Sequence, residues 1–343
     1  MKTRKLMIII NPKAGVNAHR NLHSSIIESA EELTYIDRDG VRKAYDVDVR
    51  FTTHAGHATE LAALAAGSGY YGVIACGGDG TVNEVARGVR DTRTVLGIIP
   101  LGSGNGLARH LGIPLTVKGA FKVIAEDRVL DADYASANSR PFFCTFGVGF
   151  DAEVTEKFNS RPGRGLKNYI ITTLEEYSRY HPDTYTIIAN GTRITEKALI
   201  IAVCNASQYG NNAYIAPQAS IKDGMLDVTV VHNGSVLENA MAAIGMLSGM
   251  IGHSEFATTT FRAQTLKIIR NHEGAVHFDG EPANLSKIIE IKCYPGKLRL
   301  FSTSMKSKLR PLMAPEIPFL SPMALTFRDL SYKIQNIIRK IEN

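Results

Sequence analysis

Four times before residue 107, a strand-patterned run, apolar throughout or alternating, ends in a short glycine-, asparagine- or threonine-bearing segment and a helix-patterned run follows. Leu6–Ile10 leads into Asn11-Pro12-Lys13-Ala14-Gly15, and Asp46–Phe51 into Thr52-Thr53-His54-Ala55-Gly56-His57. Gly72–Cys76 leads into Gly77-Gly78-Asp79-Gly80-Thr81-Val82-Asn83-Glu84, and Val95–Ile99 into Pro100-Leu101-Gly102-Ser103-Gly104-Asn105-Gly106. Helical spacing follows in Arg20–Leu33, His57–Ala66, Val82–Val89, Asn105–Leu111 and Val117–Ala125. Such alternation predicts a parallel sheet covered on both faces. In an open parallel sheet ligands bind beyond the carboxyl ends of the strands, so the four segments are expected to converge on one crevice. Glycine lets backbone approach a phosphate, and a helix start favours an anion. Thr81 and Glu84 also have capping-box spacing, but a cap requires none of the three glycines around Asp79.

From Val129 the texture changes to short β-rich runs: Phe142–Phe146, Tyr185–Ile188, Leu199–Cys204, Leu226–Val231, Phe261–Ile269, Ile288–Cys293 and Leu298–Ser302. Turn residues separate them at intervals typical of an antiparallel sandwich, with helical insertions near Leu166–Tyr180 and Val236–Met250. The expected division is an α/β nucleotide-binding domain over 1–130, a β-sandwich substrate domain over 131–303, and an extension over 304–343. In the extension four prolines precede a stripe, Phe327, Leu330, Ile334, Ile337 and Ile341, with amphipathic-helix spacing.

Length and composition agree with two ordinary cores: 343 residues, 44% hydrophobic and 21% charged, exclude wholesale disorder. A net charge of +6 suits nucleotide phosphates or an anionic membrane surface rather than nucleic acid. Leu6–Ile10 is too short for a signal peptide, and no window approaches the roughly 20 apolar residues of a membrane span. Cys76, Cys144, Cys204 and Cys293 lie far apart beside small or apolar residues, which predicts core thiols in a reducing cytoplasm. His110, His181, His232, His253 and His277 form no metal-ligand spacing and are expected at the surface or at caps.

These segments resemble the diacylglycerol kinase catalytic family, which includes bacterial lipid kinases and sphingosine and ceramide kinases. The resemblance rests on Asn11-Pro12-x-x-Gly15, Gly77-Gly78-Asp79-Gly80-Thr81-x-Asn83-Glu84 and Gly102-Ser103-Gly104-Asn105. Lys222-Asp223-Gly224-Met225-Leu226-Asp227 and Phe278-Asp279-Gly280-Glu281 add to it. It runs from about residue 4 to 303 and implies a phosphofructokinase-like parallel-sheet domain followed by an antiparallel β-sandwich. It further implies ATP and Mg²⁺ as cofactors and phosphorylation of the hydroxyl of a membrane lipid. Asn11, Pro12, Lys13, Ala14, Gly15, Thr53, Gly77, Gly78, Gly80, Thr81, Asn83, Glu84, Gly102, Ser103 and Asn105 would hold ATP. Asp79 would organise Mg-ATP, Asp279 and Glu281 would supply the acid or base, and Asp131 would face the substrate hydroxyl. Asp223, with the backbone carbonyls of Ser220 and Met225, would form a structural Mg²⁺ site, and Arg161, Arg164 and Lys167 would bind phosphate. A cytoplasmic enzyme of phospholipid metabolism that touches its membrane peripherally is implied.

Other readings remain beside this one. No G-x-x-x-x-G-K-[ST] segment occurs, which excludes a P-loop kinase, and the protein-kinase motif set is missing. NAD kinases and phosphofructokinases share Gly-Gly-Asp-Gly-Thr, so a soluble acceptor is an alternative, as is a nucleotide-binding regulator without turnover. Asp279-Gly280 and Asp223-Gly224 are also ordinary hairpin turns. Gly106 stands where many bacterial diacylglycerol kinases carry Asp, so a sphingoid alcohol joins diacylglycerol as candidate substrate. In the extension, Lys306, Lys308 and Arg310 lie near Leu312, Met313, Ile317, Phe319 and Leu320, a composition suited to an anionic interface. The stripe that follows would pack on the first domain or on a second subunit of a homodimer.

Overall fold

The computed structural model describes residues 3–15, 20–37, 39–160, 172–173, 175–177, 179–251 and 257–303. Strand β1 (Lys5–Ile10) is buried from Leu6 onward. After α1 (Arg20–Glu31) comes a hairpin of β2 (Thr34–Ile36) and β3 (Arg42–Ala44) that the sequence pattern does not announce. Then β4 (Asp46–Phe51), α2 (His57–Gly67), β5 (Gly72–Gly77), α3 (Asp79–Val89) and β6 (Val95–Pro100) alternate as expected. The strands stand in the order β4-β1-β5-β6, all parallel. The chain therefore reverses its direction of travel across the sheet beside β1, which opens a crevice between the carboxyl ends of β1 and β5. Ile26 and Ala30 of α1, Ala58 and Ala62 of α2, and Val82 and Val85 of α3 join the strands in one core.

Two short helices, α4 (Gly106–His110) and α5 (Val117–Ala125), lead to β7 (Val129–Ala137), and the sheet turns antiparallel. β7 runs through the change of texture at Asp131 and pairs with the last strand, β19 (Ile288–Phe301). β19 continues to β6, where Leu300 meets Leu96 in parallel, and Leu298, Leu300 and Phe301 enter the first core. One hydrogen-bonded sheet thus joins both halves. Ile288–Cys293 and Leu298–Ser302, expected as separate strands, are one strand with a register shift between Tyr294 and Leu298. Pro295-Gly296, read as a turn, is a bulge.

The opposite correction applies to Phe261–Ile269. It is two strands, β15 (Thr258–Ala263) and β16 (Thr265–Arg270), because β15 pairs with β14 (Leu226–His232) while β16 pairs with β10 (Asp183–Ala189) and β19. Phe142–Phe146 is likewise split into β8 (Arg140–Phe142) and β9 (Thr145–Gly149), since the intervening amides turn to a side chain described below. The helix α6 (Phe150–Ser160) follows β9, and β11 (Thr192–Cys204) pairs with β9, β10 and β14. A small hairpin, β12 (Gln208–Gly210) with β13 (Ala213–Tyr214), stands apart from the main sheet. The expected second helical insertion is α7 (Val236–Ser248), opened by a Ser235–Glu238 capping box. β17 (Gly274–Phe278) and β18 (Glu281–Leu285) form a hairpin over Asp279-Gly280. The first insertion lies only partly within the described residues, and the extension with its apolar stripe lies outside them. All four cysteines are buried and unpaired. No described helix is long and apolar enough to cross a membrane.

Candidate active site

The four strand-end segments meet, and α3 connects them. Asn11 Nδ2 donates to Thr81 Oγ1 at 3.0 Å, while its Oδ1 accepts the Lys13 N–H, which shapes the Pro12–Gly15 turn. The Glu84 carboxylate accepts the N–H groups of Gly56 and Ala58 at 2.9 and 3.1 Å and so caps α2. The capping box anticipated from Thr81 and Glu84 is therefore absent: both side chains reach across the crevice, and Gly78 caps α3 without a side-chain bond. Asp79, half-buried against the fourth segment, accepts Asn105 N–H on Oδ2 (2.8 Å) and Gly106 N–H on Oδ1 (2.7 Å). Desolvation raises its carboxyl pKa, with those two donors opposing. Asn105 Oδ1 in turn accepts Gly102 N–H at 3.0 Å. Gly78 and Gly102 touch through bare backbone: a Cβ on Gly102 would fall 2.7 Å from Gly78 Cα. Any Cβ on Gly77 would strike the Thr81 side chain. Lys13, Gly15, Thr53, Gly80 and Ser103 remain exposed around this junction. The first-turn amides of α3, left without a side-chain cap, give the crevice an anion-binding end. Asn83 is buried with Nδ2 lacking a hydrogen-bond partner.

The acid turn faces this crevice. Asp279 and Gly280 both have positive φ, 52° and 80°, as a two-residue hairpin turn requires. The turn reading of Asp279 is thus correct, and its carboxylate does more. It accepts the N–H groups of Phe143 on Oδ2 (2.9 Å) and of Cys144 and Thr145 on Oδ1 (2.7 and 2.8 Å). Burial pushes the carboxyl up to about 6 against the pull of these donors. Oδ2, with one N–H, keeps room for another donor. Two residues on, Glu281 Oε2 binds Arg87 of α3 at 2.6 Å and Arg140 of β8 at 3.0 Å. Its Oε1 lies 3.9 Å from where a Cβ on Gly80 would sit. Neither arginine was singled out in the sequence, because their partner is distant along the chain.

Not every expected residue joins them. Asp131 lies toward the amino end of β6, away from the crevice. It is 68% exposed, ion-paired with Arg299 at 3.3 Å, in a concavity shared with Asp91, Arg93 and Lys297. Asp223 has its oxygens engaged by the Met225 N–H (3.1 Å) and the Arg262 guanidinium, which also lies 3.6 Å from Asp227. Asp133 anchors that turn by accepting the Gly224 and Gly296 N–H groups. A hard cation held by Asp223 and the carbonyls of Ser220 and Met225 would have to displace Arg262, so this donor set fits a turn better than a magnesium cage. No group of three or more described His, Cys, Asp or Glu side chains could hold a metal ion. Arg161, Arg164 and Lys167 lie outside the described residues. The expectation of surface or cap positions fails for His277, whereas His110 is partly exposed. His277 is 2% exposed and pairs with Asp151 at 3.1 Å. His110 bonds the Ser207 hydroxyl and amide, and burial lowers its pKa to about 4.

Residues 5–137 match the diacylglycerol kinase catalytic domain, and residues 144–302 match the YegS C-terminal NAD kinase beta sandwich-like domain. A protein of Xanthomonas oryzae pv. oryzae (strain MAFF 311018) named "Probable lipid kinase YegS-like" is 32% identical over 278 residues, covering 76% of this chain and 87% of its own. One of the same name from Stenotrophomonas maltophilia (strain K279a) is 30% identical over 273 residues, covering 74% and 86%. The crystal structure of a diacylglycerol kinase from Bacillus anthracis str. Sterne covers 89% of this chain and 98% of its own at TM-score 0.66 and 23% identity, a likeness of fold.

Proposed function

Because the chain belongs to the YegS-like lipid kinases, a family built on the diacylglycerol kinase catalytic domain, we propose that it transfers the γ-phosphoryl of ATP to the hydroxyl of diacylglycerol or a sphingoid-type alcohol. Membership in that family supports a phosphotransferase, and a lipid acceptor is the finer part of the proposal. The observation that carries the finer reading is Glu281: from the acid turn it reaches Gly80 at the start of α3 and bonds Arg87 on the same helix. Phosphoryl transfer needs donor and acceptor subsites side by side, and this contact sets the turn against the nucleotide loops.

In this reading the Gly78, Gly102 and Asn11 segments seat the phosphates, and Asp79 holds the Gly102–Gly106 segment in shape. The lipid hydroxyl donates to the open position on Asp279 Oδ2. As the oxygen bonds to the γ-phosphorus, the bond to the β-phosphate oxygen breaks, ADP leaves, and the hydroxyl proton passes to Asp279. A base with a pKa of about 6 is close to the operating pH, where general-base transfer is efficient. Arg87 and Arg140 bring two guanidinium groups to one carboxylate, so the cluster is net positive where charge develops. Magnesium bound with the nucleotide would neutralise phosphate charge. A Cβ on Gly106 would lie 3.4 Å from the Tyr209 carbonyl, an ordinary contact, so packing does not exclude a side chain there. The missing Asp therefore keeps a sphingoid-type alcohol beside diacylglycerol as the acceptor in this reading. The enzyme would meet its substrate from the bilayer surface as a peripheral protein.

The test is a panel with γ-labelled ATP and Mg²⁺ offering diacylglycerol, sphingosine, ceramide and NAD, the lipids in mixed micelles. Label is expected in the organic extract with one lipid at least about tenfold above NAD, a margin of about 1.4 kcal/mol in transition-state binding. Label confined to NAD, or no transfer at all, would refute the reading.

A further inference from the structure

A buried acid–imidazole pair behind the acid turn is not used by the chemistry above. His277 and Asp151 are 2% and 4% exposed, and His277 Nε2 lies 3.1 Å from Asp151 Oδ2. The same oxygen accepts the Tyr209 hydroxyl at 2.8 Å, and Asp151 Oδ1 accepts the Ala152 N–H. A carboxylate oxygen accepts, so the imidazole proton sits on Nε2, which leaves Nδ1 to face the Gly280 N–H at 3.5 Å. Space has been left for this arrangement. A Cβ on Gly147 of β9 would lie 2.3 Å from both Asp151 Oδ2 and His277 Nε2. Burying such a pair is costly compared with apolar packing, so the fold alone gives little reason for it.

Tyr209 belongs to the β12–β13 hairpin, and that hairpin rests on the Gly102–Gly106 segment. Asn211 N–H donates to the Gly104 carbonyl at 3.2 Å, and Arg109 Nε donates to the same oxygen at 2.9 Å. Arg109 also bonds Asn212 Oδ1 at 3.2 Å. Gly210 sits at φ 118°, and a Cβ on it would fall 3.1 Å from Gly104 Cα. Backbone and guanidinium therefore hold the hairpin and the nucleotide segment together, while one hydroxyl continues the connection toward the turn.

We propose that Tyr209 is a positioning residue that ties the Gly102–Gly106 segment to the Asp279 turn through Asp151 and His277. The proposal rests on the reading of these two parts as nucleotide and acceptor subsites. It makes the angle of the Asp279 turn depend on a hairpin that touches the nucleotide segment. Asp279 and its acceptor hydroxyl are then set by the same framework that seats the phosphates.

The test uses the full chain. Tyr209→Phe is expected to lower kcat about tenfold while the KM for ATP stays within about twofold, the size of one lost hydrogen bond to a charged group. His277→Gln, which can place an amide N–H where the imidazole Nε2–H stands, is expected to keep several-fold more activity than His277→Ala. A second arm needs no lipid. Nitrogen-15 spectra of labelled histidine should show His277 protonated on Nε2. Its signal should move when adenylyl imidodiphosphate is added to the parental chain, and should not move in Tyr209→Phe. Parental kcat in Tyr209→Phe, a raised KM with unchanged kcat, or a lowered thermal midpoint with unchanged kcat per folded molecule would each overturn the proposal. So would a His277 signal indifferent to nucleotide in the parental chain. A parental chain that phosphorylates no lipid would overturn the lipid reading alone, with the spectroscopic arm still deciding the connection.

Discussion

Asp279→Asn is expected to lower kcat at least about 100-fold, the usual size of a lost general base, and also to destabilise the fold. Asparagine offers one oxygen where the carboxylate serves three amides. If that oxygen keeps Cys144 and Thr145, the new NH₂ group meets the Phe143 N–H, donor against donor. The buried amide left unsatisfied costs about 1–3 kcal/mol. A fall in kcat with a lowered thermal midpoint and near-parental nucleotide affinity fits the account; near-parental turnover would transfer the base to Glu281 or Asp79. The parental pH profile gives a separate check. A carboxyl raised from 3.8 to about 6 must lose its proton to act, so kcat/KM should fall on the acid side with a midpoint near 6. Stability moves the other way. The folded carboxyl holds its proton more tightly than the unfolded chain does, so its contribution is present below 3.8 and is lost as pH rises through about 6. The fold thus gives up some stability over the range in which the base becomes available.

Gly102→Val should have a comparable effect on the other substrate. The first carbon of any side chain at 102 would lie 2.7 Å from Gly78 Cα and 3.0 Å from Asn105 Oδ1, and the nearer contact is backbone. Relief requires the two phosphate-facing segments to separate, which disturbs the amides of Asn105 and Gly106 on Asp79. Overpacking of this kind costs about 1–3 kcal/mol. Because the strain falls on the binding loops themselves, nucleotide affinity should drop about tenfold to 100-fold by calorimetry. Parental affinity in a folded Gly102→Val chain would mean that the nucleotide does not use these segments.

The nucleotide half was legible because its signals are local. Leu6–Ile10 is apolar without alternation, as a strand covered on both faces must be, and glycine density marks the close approach of Gly78 and Gly102. The Asp-Gly turn at 279–280 was legible for the same reason. What the sequence hid depends on partners far along the chain. Glu84 looks like a capping residue for its own helix, yet it caps α2. Arg87 and Arg140 look like surface cations until Glu281 arrives from 194 and 141 residues away. His277 has no local pattern, since its partners Asp151 and Tyr209 come from α6 and the β12–β13 hairpin. Pro295-Gly296 reads as a turn because no local feature reveals that β19 resumes beyond it to join β6.

The most direct measurement is hydrogen exchange of the full chain with and without adenylyl imidodiphosphate and Mg²⁺. Slowed exchange is predicted in the amides of 13–15, 53–58, 78–81 and 102–106 together, with the 277–281 turn following when the lipid acceptor is added. Protection at the 222–225 turn or the Asp91–Lys297 concavity, with those four segments unchanged, would contradict the account.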